Sequence, residues 1–585
     1  MFFVFLQRLL FLFVFVELTA GVASAGPQLD VAPLNPAFKS YLEDPSNFRY
    51  GYVPPPVVVS KKKSESVRLY TQQLPSRFDL REFGYVTPAK NQLQYNTCWA
   101  FAALGALESD LLKEGAPSYD FSENNMVNLS GFSGGFNDGG NIEMAAAYLA
   151  RGTGPVLASC DPYPNPDRSP LNCKRVRFIE NMVLLRSRTS SSDNYFLKSA
   201  IYNHGAVFSS IYWDSSFFDS STNTYYAKIS SDANHAVVLV GWDDNMVVPG
   251  ALGRGAWIAK GSWGQNWADN GFFYISYYDP TLGYSTNAYF VDKPDTALGH
   301  FDIYQYDKLG METSVGCTST NVFYGANVFH ILKTSYIASV LFFVSNSVDY
   351  QVSIYTDCDD PSNRPTQAAA TFSGYVSNPG YVTVDLPYPV VVRGDTDVCV
   401  ILKLTTDTAN AHPMGTEAQI EGYSDGATIA PGQSYYSCDG NQWHDMYQIS
   451  QQSGLTNLCI KLLAVELPFN DITSSDVLFA LESISDIYYA GITTGCGNGR
   501  YCPDQPVTRA QMALFLARAL NLPMDNCTDA GFSDVDPDSV YAPGICAIKK
   551  AGITTGCGND KYCPDQPVTR AQMAVFLDRA FLKKE

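Results

Sequence analysis

Apolar residues recur at helical spacing in only two parts of this 585-residue chain, and that uneven periodicity limits its fold more than any other feature. Phe101, Leu104, Leu107, Leu111 and Leu112 form one such run, and the extreme C-terminus holds the other. The middle is rich in Tyr, Val, Thr, Ser and Gly. From about 297 to 466 it alternates short β-like runs (YQVSIYT, GYVTVDL, CVILKLTT, LCIKLLAVE) with Gly, Pro, Asn and Asp turns. That spacing predicts an antiparallel β-sandwich. A chain this long exceeds one hydrophobic core and divides into about three or four domains.

The first 25 residues read as a secretory signal peptide: Arg8, a short apolar run from Leu9 to Val16, and Ala23-Ser24-Ala25 as the cleavage site. Glu17 interrupts the apolar stretch well short of the roughly 20 residues a membrane span needs. No later segment is apolar enough to span, so the mature protein is expected to be exported without a membrane span. A net charge of −19 argues against nucleic acid, which requires clustered Lys and Arg. The one basic run, Lys61-Lys62-Lys63, falls in a Ser- and Pro-rich stretch and reads as solvated or as a processing site. Residues 26–73 read as a pro-segment and linker.

Fourteen cysteines in an exported chain point to disulfides. Cys496/Cys502 and Cys557/Cys563 share one short spacing, and Cys160/Cys173 closes another short loop. A metal cluster is the rival reading, but no histidine accompanies the C-terminal cysteines. The pairing of Cys317, Cys358, Cys399, Cys438 and Cys459 stays open, and their odd number leaves one over. Asp357, Asp359 and Asp360 read as a solvated acidic loop before they read as a calcium site.

Cys98 sits at the start of the first helical run, directly before Trp-Ala-Phe. A lone helical cysteine is more often a small core residue than a nucleophile. Its position nevertheless suits a thiolate, because helix N-termini carry partial positive charge and free N–H groups. A base is also needed, and the first half of the chain holds only His204 and His235. His235 opens the apolar run Ala236 to Val240. Then follows GAWIAKGSWGQNWADNGFFYIS, which reads as a strand, a Gly/Trp-rich turn and a second strand.

Six motifs in order over 74–292 resemble the papain-family cysteine peptidases: LPSRFDLREFGYVTPAKNQ, NQLQYNTCWAF, FSENNMV, NDGG, NHAVVLVGW and GSWGQNWADNGFF. The resemblance implies a two-lobed α+β domain in which Cys98 and His235 form the catalytic pair, with no cofactor and no metal. The side chain of Gln92 and the backbone N–H of Cys98 would make the oxyanion hole. Gly139, Gly140 and Asn234 would meet a peptide or protein substrate, and Trp263 would shield the histidine.

Two departures stand out. Tyr95 and Asn137 occupy the positions of a disulfide usual in the family, and both halves are missing together. Gly261 replaces the Asn that precedes Ser-Trp-Gly and normally orients the imidazole. By triad logic, loss of that third member weakens catalysis less than loss of nucleophile or base.

Residues 297–466, with IYQYDKLG and YGANVF, resemble the lectin-like domains that follow papain-like domains in secreted proteins. Over 470–585, AGITTGCGNGRYCPDQPVTRAQMALFLARAL returns 61 residues later almost unchanged. Pro506 and Thr508 lie where capping residues belong. These copies resemble S-layer homology repeats, which implies docking to a cell-wall or envelope polysaccharide, with Arg509 and Arg570 as candidate contacts. Such modules usually come as three copies, and two are present. The sequence therefore supports a secreted, surface-associated cysteine endopeptidase. The alternative is a retired papain-like fold serving as an adhesin, which Gly261 favours.

Overall fold

The computed structural model describes residues 27–48, 50–59, 73–166, 168–179, 181–291, 301–472, 480–525, 527 and 529–568. The expected leader 1–25, the Lys61–Lys63 run and Arg570 lie outside the described residues.

The chain enters as strand β1 (Leu29–Val31) and helix α1 (Pro36–Glu43). Asn35 caps α1 by accepting the Ala37 N–H, and Pro36 fits the first turn, where no N–H partner is needed. Helix α2 (Cys98–Lys113) is the centre of the next domain. Its apolar spacing suggests one buried stripe, but every residue from Cys98 to Leu111 is buried, because the helix is enclosed on all sides. Helix α3 (Ile142–Ala150) packs beside it, capped by Asn141, which accepts the Met144 N–H.

The facing lobe is a twisted sheet: β2 (Asn181–Leu185), β3 (Val207–Ile211), β4 (His235–Val247), β5 (Arg254–Lys260), β6 (Phe272–Ser276) and β7 (Asn287–Val291). Strand β4 lies between β3 and β5, both antiparallel, with Ile211 opposite His235 and Val238 opposite Lys260. The first eight residues of β4 are buried, as its continuous apolar run predicts for a strand covered on both faces.

The next domain is the antiparallel β-sandwich expected from the sequence. One sheet has six strands, with Val322–Ile331 and Thr396–Thr405 at its centre. The other is built around Ser335–Val344, flanked by Gly380–Val392 and Ile460–Glu466. This second sheet runs on into the preceding domain through Gly380 paired with Val183 and Tyr381 with Met182. β1 joins it as well, since Val31 pairs with Val315.

Disulfides link Cys317–Cys438 and Cys358–Cys399, so Cys459 is the thiol left over. Cys160–Cys173, Cys496–Cys502 and Cys557–Cys563 are bonded as expected. Cys527–Cys546, which the spacing argument passed over, ties the segment between the repeats to helix Ala542–Lys550. Asp534 lies near Cys557 and Cys563, but those sulfurs are joined to each other and its carboxylate accepts the backbone N–H groups of Tyr562 and Cys563. In the acidic loop, Asp360 caps the short turn at Pro361 by accepting the Ser362 N–H.

In the first C-terminal repeat, Thr508 and Gln511 form a reciprocal capping box on helix Arg509–Ala519. Arg509 lies where the two copies meet. It is 3% exposed, donates through Nε to the Tyr562 carbonyl, and lies over the Tyr562 ring at 4.9 Å. It is enclosed in the seam between the two copies.

Candidate active site

Cys98 is the first residue of α2, His235 the first of β4, and the two elements pack directly together. The Ala236 N–H donates to the Cys98 sulfur at 3.4 Å, tying the helix start to the strand start. Both side chains are fully buried. Gln92 is buried beside them, donating through Nε2 to the Tyr95 carbonyl at 2.6 Å and accepting from the Ser262 hydroxyl. Tyr163 caps the same loop, donating to the Gln92 carbonyl and contacting the Thr97 hydroxyl.

His235 is held by aromatic rings. Trp263 stacks on it at 4.6 Å and 8°, while Trp213 and Trp267 pack against Trp263. Gly261 begins the turn that delivers Trp263. A Cβ there would stand 3.3 Å from ring carbons of both Trp263 and Trp267, so the indoles crowd the space that a side chain would enter. Among the described residues, His235 Nε2 has no hydrogen-bond partner, and Nδ1 faces the Tyr50 carbonyl at 3.4 Å.

That carbonyl belongs to the N-terminal segment, whose residues 50–53 run through the cleft. The Val53 N–H donates to the Gly140 carbonyl, the Gly140 N–H to the Gly51 carbonyl, and the Tyr52 N–H to the Asn234 carbonyl, at 2.8 to 3.1 Å. The pairing of Tyr52 with Gly140 is parallel. Tyr52 is itself fully buried, with its hydroxyl on Thr286 Oγ1 at 3.0 Å. Gly139, Gly140 and Asn234 thus meet at one peptide-binding edge. The two glycines are needed for different reasons: a Cβ on Gly139 would strike the Gly51 carbonyl at 2.9 Å, whereas one on Gly140 would strike the Trp99 indole at 2.5 Å.

At the positions of the missing disulfide, the segments that carry Tyr95 and Asn137 are joined through their neighbours without sulfur. The Asn96 side chain donates to the Asn137 carbonyl at 2.7 Å, and Tyr95 packs edge-on against Phe136.

The covered site is electrostatically silent. Burial pushes the Cys98 thiol up to about 12 and the His235 imidazole down to about 4, so both are neutral near pH 7. Exclusion of water disfavours each charged form. An ion pair is disfavoured as long as the site stays covered.

A thiol at a helix start, an imidazole at a strand start and a glutamine amide between two lobes define a papain-like cysteine peptidase domain. This chain carries one, ahead of a lectin-like β-sandwich and S-layer homology repeats. Family models match accordingly: the papain family cysteine protease over residues 74–291, the lectin like domain over 303–464, and the S-layer homology domain over 468–513 and 531–574. The solved structure of the cysteine protease and lectin-like domains of Cwp84, a surface layer associated protein of Clostridium difficile, is 26% identical. It covers 75% of this chain and 98% of that one, with a TM-score of 0.63. The same clostridial protease after propeptide cleavage is 25% identical, covering 67% of this chain and 100% of that one, with a TM-score of 0.57. Among curated relatives, the probable cysteine protease RD19C of Arabidopsis thaliana is 28% identical over 223 residues, which is 35% of this chain and 57% of that protein. Cathepsin K of Mus musculus is 31% identical over 219 residues, which is 35% and 61% respectively. The chain spans about six tenths of the length of these two relatives.

Of the residues named from the sequence, Cys98, His235, Gln92, Gly139, Gly140, Asn234 and Trp263 are gathered by the fold around one cleft. The sequence reading missed Tyr50 to Val53, Tyr163, Trp213 and Trp267. The stretch GYVPPPVVV was the one available signal for the first of these, an apolar run in an otherwise polar leader that must be buried against something.

Proposed function

We propose that this chain is a secreted cysteine endopeptidase, made in a latent form and held at the cell surface. In the released form Cys98 attacks the peptide carbonyl as a thiolate paired with the His235 imidazolium. Gln92 and the Cys98 backbone N–H stabilise the oxyanion, His235 protonates the departing amine, and water then hydrolyses the thioester. The observation that carries this reading is the backbone pairing of residues 51–53 with Gly140 and Asn234, with the Tyr50 carbonyl facing the imidazole. A peptide already lies in the cleft, and its parallel direction fits an inhibitor held uncut.

Surface association draws on the S-layer homology repeats and on the likeness to a surface layer associated protein. An envelope polysaccharide is the partner this reading assigns to the repeats.

A second reading, a binding protein on a retired catalytic fold, is favoured by Gly261 alone. One experiment separates the two. The full chain, after release of its pro-segment, is incubated with an epoxide inactivator of papain-like enzymes, and adducts are located by mass spectrometry while a denatured protein substrate is assayed. A Cys98 adduct, with cleavage abolished in Cys98→Ala, is expected. No adduct and no cleavage from pH 4 to 9 would leave the binding protein.

A further inference from the structure

The loop around Tyr423 leaves the β-sandwich and docks beside the peptide-binding edge. The Asn141 side chain, next to Gly140, donates to the Tyr423 hydroxyl at 2.9 Å. The Ser133 N–H donates to the Tyr423 carbonyl at 2.9 Å, and the Ser133 hydroxyl to Asp425 at 2.7 Å. Ser133 and Asn141 flank the Gly139-Gly140 pair, so the sandwich is clamped to the segment that binds the peptide backbone.

What the loop presents there is an aromatic wall. Phe132 meets Tyr423 at 5.1 Å. Phe38 of the pro-segment, fully buried, lies edge-on against the same ring at 5.0 Å and 77°. A cavity of about 540 Å³ runs from Gly139 and Val53 to Met144 and Tyr423. Its other wall is made by pro-segment residues Tyr41 and Phe48, which depart with that segment.

We propose that the β-sandwich completes the substrate groove. Once the pro-segment is gone, Tyr423, Phe132 and Met144 form a distal subsite for an apolar or aromatic side chain of the substrate peptide. Two observations assign that occupant: the cavity reaches Gly139, next to the Gly140 backbone edge, and with the segment in place a phenylalanine of this chain, Phe38, already packs on the Tyr423 ring. The inference rests on the peptidase reading and adds to it a recognition role for the sandwich.

The test uses the full chain after pro-segment release. Its substrates are peptides identical near the scissile bond, carrying Phe or Ala at each successive position beyond the Gly140 pair. At one position Phe is expected to raise kcat/KM over Ala by roughly tenfold, mainly through KM, because the ring leaves water there. In Tyr423→Ala that ratio falls towards one, and in Tyr423→Phe, which keeps the ring, it is retained. Equal rates for Phe and Ala at every position, or a preference surviving Tyr423→Ala, would overturn the proposal. Fluorescence anisotropy of the same labelled peptides gives the same comparison without turnover. Failure of all cleavage would therefore count against the peptidase reading, while loss of the Phe preference in binding would count against the groove.

Discussion

The imidazole of His235 lies flat on the indole of Trp263, with centroids 4.6 Å apart and planes 8° apart. In a site whose third-member position is Gly261, this stack is the contact that fixes the plane of the ring. Trp263→Ala should therefore lower kcat of the released enzyme by about 3- to 10-fold, the equivalent of one aromatic pair. Gly261→Asn should not restore anything. Its Cβ would meet indole carbons at 3.3 Å, and overpacking of this kind costs about 1–3 kcal/mol of stability. Steady-state kinetics and thermal melts of both variants check the pair; a faster, equally stable Gly261→Asn enzyme would show that the cluster yields.

Tyr52, like Phe38, is a fully buried anchor of the N-terminal segment. Its ring is fully buried and its hydroxyl is satisfied by Thr286. Truncating a buried aromatic side chain costs about 3 kcal/mol or more. Tyr52→Ala should therefore raise the basal activity of the uncleaved chain by 10-fold or more, whereas Tyr52→Phe should change it far less. Hydrolysis of a small fluorogenic peptide by the intact chains measures this directly.

Of the fourteen cysteines, Cys98 and Cys459 are the free thiols among the described residues, and both are buried. They should part company on activation. Burial raises both thiols in the latent form, so neither alkylates readily near pH 7. Release of the pro-segment uncovers Cys98 only, because Cys459 is enclosed in the β-sandwich core. Timed iodoacetamide labelling with peptide mapping should find Cys98 modified after release and Cys459 unmodified throughout.

Within the sandwich, Lys461 and Asp307 form a buried pair at 2.6 Å, and Lys461 also donates to the Asp307 carbonyl. Removing one partner strands the other charge in the core. Lys461→Met should destabilise the sandwich by about 3–5 kcal/mol, and Lys461→Met/Asp307→Leu by much less. Urea unfolding followed by tryptophan-independent circular dichroism resolves the difference.

The architecture was readable because its signals are local. The apolar run after His235 requires a strand buried on both faces, and the alternating segments of the middle require a sandwich. What was not readable depends on contacts between distant segments. Nothing in PAFKSYLE reveals that Phe38 meets Tyr423, some four hundred residues later. Arg509 is a second case: its motif is local, but its surroundings come from the near-identical second copy, which brings Tyr562 over it. The stretch GYVPPPVVV lies in the part read as pro-segment and linker, and its composition does not say what would bury Tyr52, Val53, Val57 and Val59.

Latency should depend on pH through the covered pair. In the latent form burial holds His235 down at about 4, with the Tyr50 carbonyl acting weakly the other way. Released into water beside a thiol that is still protonated, the imidazole returns to its ordinary value of about 6.5. Between roughly 6.5 and 4 the released form binds a proton that the latent form cannot, so falling pH favours release by up to about tenfold per unit. The stability that His235 lends the latent form is thus complete above about 6.5 and is lost as pH falls through that window. Cys98 acts in the opposite limb. Its thiol is held up at about 12 when covered, so above an ordinary thiol value of about 8.5 the released form sheds a proton that the latent form keeps. Latency should be greatest near neutrality and weaken on both sides. The rate at which added protease removes residues 26–59 from the intact chain reports this. His235→Gln should abolish the acid limb and Cys98→Ala the alkaline one, and a profile flat from pH 7 to 4.5 would show that the imidazole is not what the pro-segment holds neutral.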